Sequence, residues 1–123
     1  MHDAHYLREM ADTLGLKDWD FFIEHNDEDS PFAATCAIVV GQKRAKLGFP
    51  PGFDTLTPEQ QRQTITHELL HCQTDRWKII FNRLAPFLSD REYDLMELAF
   101  RDVMEEAVDG IATAIAPFLP LPS

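Results

Sequence analysis

The chain has 123 residues, of which 45% are hydrophobic, and it carries a formal net charge of −10 at pH 7. This length and composition predict one domain, residues 1–123, with enough apolar material for a single core. The acidic excess repels phosphate and anionic lipid, no apolar run could cross a bilayer, and the first ten residues lack the pattern of a secretion signal. We therefore expect a cytoplasmic protein without nucleic-acid or membrane partners.

The first half of the chain predicts one helix followed by a small sheet. Apolar residues recur at helical spacing over residues 4–14, and a glycine follows them. Residues 19–25, WDFFIEH, have the aromatic and β-branched content of a short strand and lead into the acidic loop 26–31. Residues 34–40 and 45–49 flank a short loop that contains glycine, which predicts two antiparallel strands joined in a hairpin.

Two helices are expected after the sheet. Thr57 is followed by proline and then by Gln60, a capping box that begins a helix running to Cys72 or beyond. Residues 77–84, WKIIFNRL, form a second and shorter helical segment that ends near a proline.

A long helix completes the predicted elements. Ser89 and Glu92 form another capping box, which opens a helix over residues 90–116. The tail, residues 117–123, is rich in proline and is expected to be irregular. An N-terminal helix, a small antiparallel or mixed β-sheet and then helices together predict an α+β fold.

The segment 66–72, THELLHC, lies on the first of these later helices. His67 and His71 are four residues apart, so they share one helix face and can converge on one ion. Neutral imidazole is a favoured zinc ligand. Glu68 points about 100° around the helix from His67 and is better placed as the general base of an H-E-x-x-H site than as a ligand. The alternative is an ordinary amphipathic helix that carries two partly exposed histidines.

A catalytic zinc site needs a third protein ligand, and no histidine follows the motif. Asp75 lies about 12 Å in rise from His67 on the same helix, too far to share an ion with it. The long final helix offers Glu105 as ligand and Asp109, one turn later, as a hydrogen-bond acceptor for a zinc-bound histidine. Zinc would also supply a partner for a carboxylate pair that is costly to bury on so apolar a helix. Glu106 is the alternative ligand.

HELLH followed on a later helix by EEAVD resembles the gluzincins, zinc metallopeptidases with the pattern H-E-x-x-H and a downstream E-x-x-x-D. The order of elements over residues 15–116 is most similar to minimal single-domain gluzincins and to the short zincin-like metallopeptidases of phage and prophage genomes. The resemblance implies a zincin-like domain in which the two histidines and Glu105 bind one Zn²⁺ ion. It also implies that Glu68 is the catalytic base and that Asp109 is the partner of the first histidine.

The implied activity is zinc-dependent hydrolysis of peptide bonds in a peptide or protein substrate. The ion would activate water and polarise the scissile carbonyl, while Glu68 would carry a proton to the leaving amine. An extended substrate would pair with a sheet edge, supplied by residues 32–40 or by residues 45–49. The candidate donors to the oxyanion are Arg76, Arg101, Tyr93 and His25. Two alternatives remain open: a catalytically weak or inactive zinc-containing protein-interaction domain, and an interaction domain without metal.

The chain has two cysteines, Cys36 and Cys72. They are too few for a disulfide framework and do not have C-x-x-C spacing. We expect buried, reduced thiols. Although Cys72 directly follows His71, its side chain points about 100° away from that histidine, so it is not expected to bind the metal.

Overall fold

The computed structural model describes residues 4–25, 34–39 and 41–123. The described residues form four helices and three strands in the order α1 (Ala4–Thr13), β1 (Asp20–His25), β2 (Thr35–Ile38), β3 (Arg44–Phe49), α2 (Pro58–Thr74), α3 (Trp77–Leu84) and α4 (Asp90–Ile115). The predicted α+β class is confirmed. The predicted acidic loop and the end of the predicted second strand, at Val40, lie outside the described residues. None of the described helices is long and apolar enough to cross a membrane.

The sheet is mixed, with the strand order β1-β3-β2. Strands β2 and β3 are antiparallel, with Thr35 opposite Gly48, which confirms the predicted hairpin. Strand β1 pairs in parallel with β3. Because β3 is central and its backbone groups pair on both sides, the prediction that residues 45–49 could offer an edge to substrate is wrong. As far as the chain is described, β2 forms the edge opposite β1.

The hydrophobic core lies between one face of the sheet and the helices α1 and α2. Alternate residues of a strand point to the same face, and on β3 these are the buried Ala45, Leu47 and Phe49. Helix α1 contributes a stripe of four buried residues at helical spacing. Its chain leaves the helix through Gly15, which has a φ of +80° and so takes the left-handed conformation that a glycine adopts at little cost. Helix α2 adds Ile65 to this cluster.

Both predicted capping boxes are present. The Thr57 side chain accepts a hydrogen bond from the Gln60 backbone N–H, and the Gln60 side chain accepts one from the Thr57 backbone. Ser89 and Glu92 exchange the same pair of bonds at the start of α4. These bonds satisfy backbone N–H groups that the first turn of a helix leaves unpaired. Helix α2 then continues to Thr74, which confirms the prediction that it reaches beyond the second histidine.

The segment after α4 packs against the core. Ala116–Phe118 form a 3-10 turn, so the expectation of an irregular tail from residue 117 is wrong for its first two residues. The carbonyl of Leu119 accepts a hydrogen bond of 3.1 Å from Arg62, and the carbonyl of the next residue accepts one of 2.8 Å from the Tyr6 hydroxyl. The tail therefore links the end of α4 to α2 and α1.

Candidate metal centre

His67 and His71 lie on the same face of α2, with ring centroids 5.1 Å apart. Both rings present Nε2 to the Glu105 carboxylate, which reaches them from α4. Glu105 Oε1 lies 2.7 Å from Nε2 of His67, and Oε2 lies 3.0 Å from Nε2 of His71. Within the described part of the chain, one ligand atom from each of these three residues lies within 4.8 Å of the others. The structure thus brings together the three residues that the sequence suggested as ligands.

The neighbouring carboxylates of α4 differ in their relation to this cluster. Glu106 is exposed and does not belong to the group of converging ligand atoms found in the described residues. The side chains of Glu105 and Asp109 are 55% and 71% exposed. The expectation that this pair would be buried in an apolar surface is therefore wrong, because this side of α4 faces solvent. What favours Glu105 as a ligand is its contact with both histidines.

Each histidine also has a carboxylate at its other ring nitrogen. His71 Nδ1 lies 2.9 Å from Asp75, whose side chain is 9% exposed. His67 Nδ1 lies 3.6 Å from the exposed Asp109, the residue that was expected to be its partner; this contact is longer than that of His71 with Asp75. Carboxylates in this position fix the tautomer and the orientation of a metal-binding histidine. The partnership of Asp75 with His71 was missed, although their spacing of four residues on one helix could have revealed it.

The donor set of this cluster suits zinc. Two imidazole nitrogens and one carboxylate oxygen are a ligand set of catalytic zinc, which leaves a fourth position for water. Ligand atoms around tetrahedral zinc are about 3.4 Å apart for bonds of roughly 2.1 Å. The observed contacts of 2.7 and 3.0 Å are shorter by less than about 1 Å, and the half-exposed Glu105 side chain has room to withdraw by that amount. The three ligand atoms lie within 4.8 Å of one another, so these residues could hold one metal ion.

No family model, curated protein or solved structure matches this chain. The case for a metal centre consequently depends on the chemistry and the geometry of the cluster itself.

Burial and charge shift the pKa values of the groups around His71. Burial raises the pKa of Glu68 to about 7; the proximity of His71 partly offsets this, while Glu105 and Asp75 add to it. Burial lowers the pKa of His71, but its hydrogen bond to Asp75 and the nearby carboxylates outweigh that effect and raise it. For Asp75, burial alone would raise the pKa. The hydrogen bond to His71 and the charges of His71 and Lys78 outweigh burial, so the pKa of Asp75 is lowered. The three groups form one electrostatically coupled network.

An open cleft of about 240 Å³ adjoins the cluster. Strand β2 and the residue before it line this cleft together with α2, the start of α3 and α4. The lining residues include Ala34, Thr35, Cys36, Glu68, His71 and Glu105. A second opening on the other side of Glu68 is lined in part by His67 and Asp109. Glu68 and Glu105 line both openings, so the cluster lies where they meet.

Only one of the four candidate oxyanion donors lines the main cleft. That residue is Arg101, one turn before Glu105 on α4. The Arg76 guanidinium lies 6.0 Å from the Trp19 ring centroid and lines a different pocket. Tyr93 packs against an aromatic ring of α3. His25 ends β1, on the side of the sheet away from β2.

Proposed function

We propose that the protein is a zinc metallopeptidase of the gluzincin type with a minimal zincin-like fold. The observation that carries this proposal is the convergence of His67, His71 and Glu105, with Glu68 in the same cleft. A hydrolytic zinc site requires three protein ligands, an open position and a neighbouring base. His67, His71 and Glu105 would be the three ligands, and Glu68 would be the base.

In this proposal His67, His71 and Glu105 hold one zinc ion, which supplies Lewis acidity that acidifies water and polarises a carbonyl. Glu68 accepts a proton from the attacking water and delivers it to the leaving amine. Only 8% of Glu68 is exposed, which limits the access of bulk water to its carboxylate. Asp75 orients His71 through the hydrogen bond at Nδ1.

The edge strand supports a peptide or protein as the substrate. Strand β2 is four residues long, and two of them, Thr35 and Cys36, line the cleft beside Glu68. An edge strand presents backbone N–H and C=O groups to which an extended chain can add as a further strand. A peptide bound in this way would pass directly beside the base and the metal ligands.

Zinc binding tests the ligand assignment. We expect the purified protein to bind one zinc ion per chain. Glu105→Ala should lower the zinc affinity by more than roughly 10–100-fold, which is the loss typical of removing a residue that only hydrogen-bonds to a ligand. Glu106→Ala is the matched control, because it removes the same group one position further along the helix, and it should leave the affinity unchanged. Loss of zinc in the control instead would refute the assignment of Glu105.

The catalytic part is tested with Glu68→Gln, measured on a mixture of quenched fluorescent peptides of varied sequence. Removing a general base should lower the rate by about 10²–10⁴-fold. The variant should keep its zinc content and its circular dichroism spectrum, because Glu68 is not a ligand. Equal cleavage by the variant and the wild type would contradict the proposed role of Glu68.

A second candidate function is a zinc-containing protein-interaction domain with weak or no catalysis. Exposed apolar side chains on α4 favour it: Leu95, Leu98 and Val103 are 59%, 55% and 64% exposed. Exposed apolar surface of this kind often marks a binding site for another protein. In this case the wild type would carry zinc without cleaving the peptide mixture, and Glu68→Gln would leave partner binding unchanged.

A further inference from the structure

The two cysteines of the chain meet in the fold. Cys36 and Cys72 are 36 positions apart in sequence, yet their Sγ atoms lie 3.8 Å from each other. A buried residue contacts about 6–12 others, so two positions chosen at random in a chain of this length would touch in roughly one case in ten or fewer. Because the chain has no other cysteine, neither thiol has a competing intramolecular partner.

The two thiols differ in their access to solvent. Cys72 lies on α2 and is fully buried. Cys36 lies on β2, opposite Leu47 of the central strand, and is one of the residues that line the cleft. A small reagent that enters the cleft therefore meets Cys36 first and finds Cys72 behind it.

We infer that Cys36 and Cys72 are a redox modification site, at which a low-molecular-weight disulfide such as oxidised glutathione forms an intramolecular disulfide. The Cys36 sulfur attacks the reagent, giving a mixed disulfide and releasing one reduced thiol. The Cys72 sulfur then attacks Cys36 Sγ and releases the second. The two protein thiols lose two electrons and two protons, and the reagent is reduced to two thiols. To form the bond, the Sγ atoms must approach from 3.8 Å to about 2.05 Å.

This bond would join two neighbouring elements that both contribute residues to the cleft. Strand β2 is short and lies at the edge of the sheet, where the β3 ladder holds it on one side. Helix α2 carries both histidines. The disulfide would tie the edge strand to this helix next to His71. Its formation requires neither zinc nor catalysis, so it can be tested separately from the proposed function.

The test treats the full chain with oxidised glutathione and counts free thiols after denaturation. We expect no free thiol, a monomer on a non-reducing gel, and a mass lower by two hydrogen atoms. Closing a loop of this length should raise the melting temperature by roughly 10 °C, and a reducing agent should reverse the shift. Alanine variants define the order of attack: Cys72→Ala should accept glutathione at Cys36, whereas Cys36→Ala should leave the buried Cys72 unmodified.

Three results on the wild-type chain would overturn the inference: two free thiols that persist, glutathione on both cysteines, or a covalent dimer. None of them depends on whether an alanine variant folds.

Discussion

Helices α2 and α4 begin in the same way and are held by the fold very differently. Each starts with a capping box, Thr57 with Gln60 and Ser89 with Glu92. Five of the 17 residues of α2 are buried, against two of the 26 residues of α4. A cap determines where a helix begins, whereas burial of an apolar face supplies most of its stability in a folded protein. Two helices with equivalent starts can therefore differ greatly in their anchoring.

The candidate metal centre spans this difference. Helix α2 provides His67, His71 and the buried Glu68, while α4 provides the half-exposed Glu105. The outer partners follow the same division, since Asp75 is 9% exposed and Asp109 is 71% exposed. In the proposed centre, α2 would fix the positions of the imidazoles and Glu105 would adjust to a bound ion.

The largest expected effect compares one leucine from each helix. Leu69 of α2 is fully buried and Leu98 of α4 is 55% exposed. Leu69→Ala should lower the free energy of unfolding by about 2–5 kcal/mol through lost burial and a residual cavity. Leu98→Ala should change it by less than about 0.5 kcal/mol. Urea unfolding measures both, and similar losses would mean that α4 is anchored as firmly as α2.

The exposed state of Leu98 also marks the limit of sequence-based prediction. Both capping boxes were predictable because each depends on residues three positions apart. The buried face of α4 could not be predicted, because the apolar residues of this helix occur on several of its sides and form no single stripe. The same contrast holds in the sheet. The β2–β3 hairpin was predictable from a short loop, but the parallel pairing of β1 with β3 joins distant segments and has no local signal.

The site shows the same division between local and distant information. His67 and His71 were identified from spacing on one helix. Glu105 was preferred because no histidine follows the motif and Asp109 lies one turn further along, and its contact with both imidazoles agrees with that choice. The buried setting of Asp75 could not be inferred, because it depends on how the end of α2 packs.

The C-terminal attachment of α4 gives a pH-dependent prediction. Burial raises the pKa of Tyr6 to about 12, partly offset by Arg62 and increased by Glu9. Below pH 10 the phenol is neutral in both states; between about 10 and 12 the unfolded chain ionises while the folded chain resists. Stability should therefore fall as the pH rises through this window, by up to roughly 2–3 kcal/mol. Urea unfolding at a series of alkaline pH values measures the loss.

Two phenylalanine variants test whether the loss of stability at alkaline pH comes from Tyr6. Tyr6→Phe should remove most of the alkaline dependence, although it also removes the hydrogen bond to the tail. Tyr93→Phe is the control on α4: a hydrogen bond with Glu97 raises the pKa of Tyr93, but the fold does not bury it comparably. An alkaline dependence that survives in Tyr6→Phe would exclude the buried phenol as its source.

A smaller effect should separate the two carboxylate partners of the histidines. Asp75→Asn keeps the size of the side chain and removes the charge that holds His71, so zinc affinity should fall by about 10–100-fold. Asp109→Asn should reduce it by less than about tenfold, because Asp109 lies 3.6 Å from His67 and is exposed to screening solvent. Competition with a chromophoric chelator measures both affinities. Equal losses would show that the orientation of the two imidazoles depends equally on both helices.

The smallest effect removes the two caps. Thr57→Ala should lower the free energy of unfolding by about 1 kcal/mol, because the buried residues of α2 begin at Ile65, about two turns after the cap. Ser89→Ala removes the same kind of bonds from a similarly exposed turn, but the buried residues of α4 begin only at Val108. A local loss reaches the global free energy only where the segment unfolds together with the rest of the molecule. We therefore expect faster amide exchange at residues 90–92 and a global change below about 0.5 kcal/mol.

Hydrogen exchange measured together with urea unfolding distinguishes fraying from global destabilisation. An equal global loss in both variants would place the start of α4 in the same cooperative unit as α2. The structure offers a route for such coupling, because the Tyr93 ring meets Phe81 of α3 edge-on at a centroid distance of 5.8 Å and Phe81 is buried. Phe81→Leu in the Ser89→Ala background would then test whether the contact between Tyr93 and Phe81 provides this coupling. If the aromatic contact transmits the loss, weakening it should return the effect of the cap to local fraying.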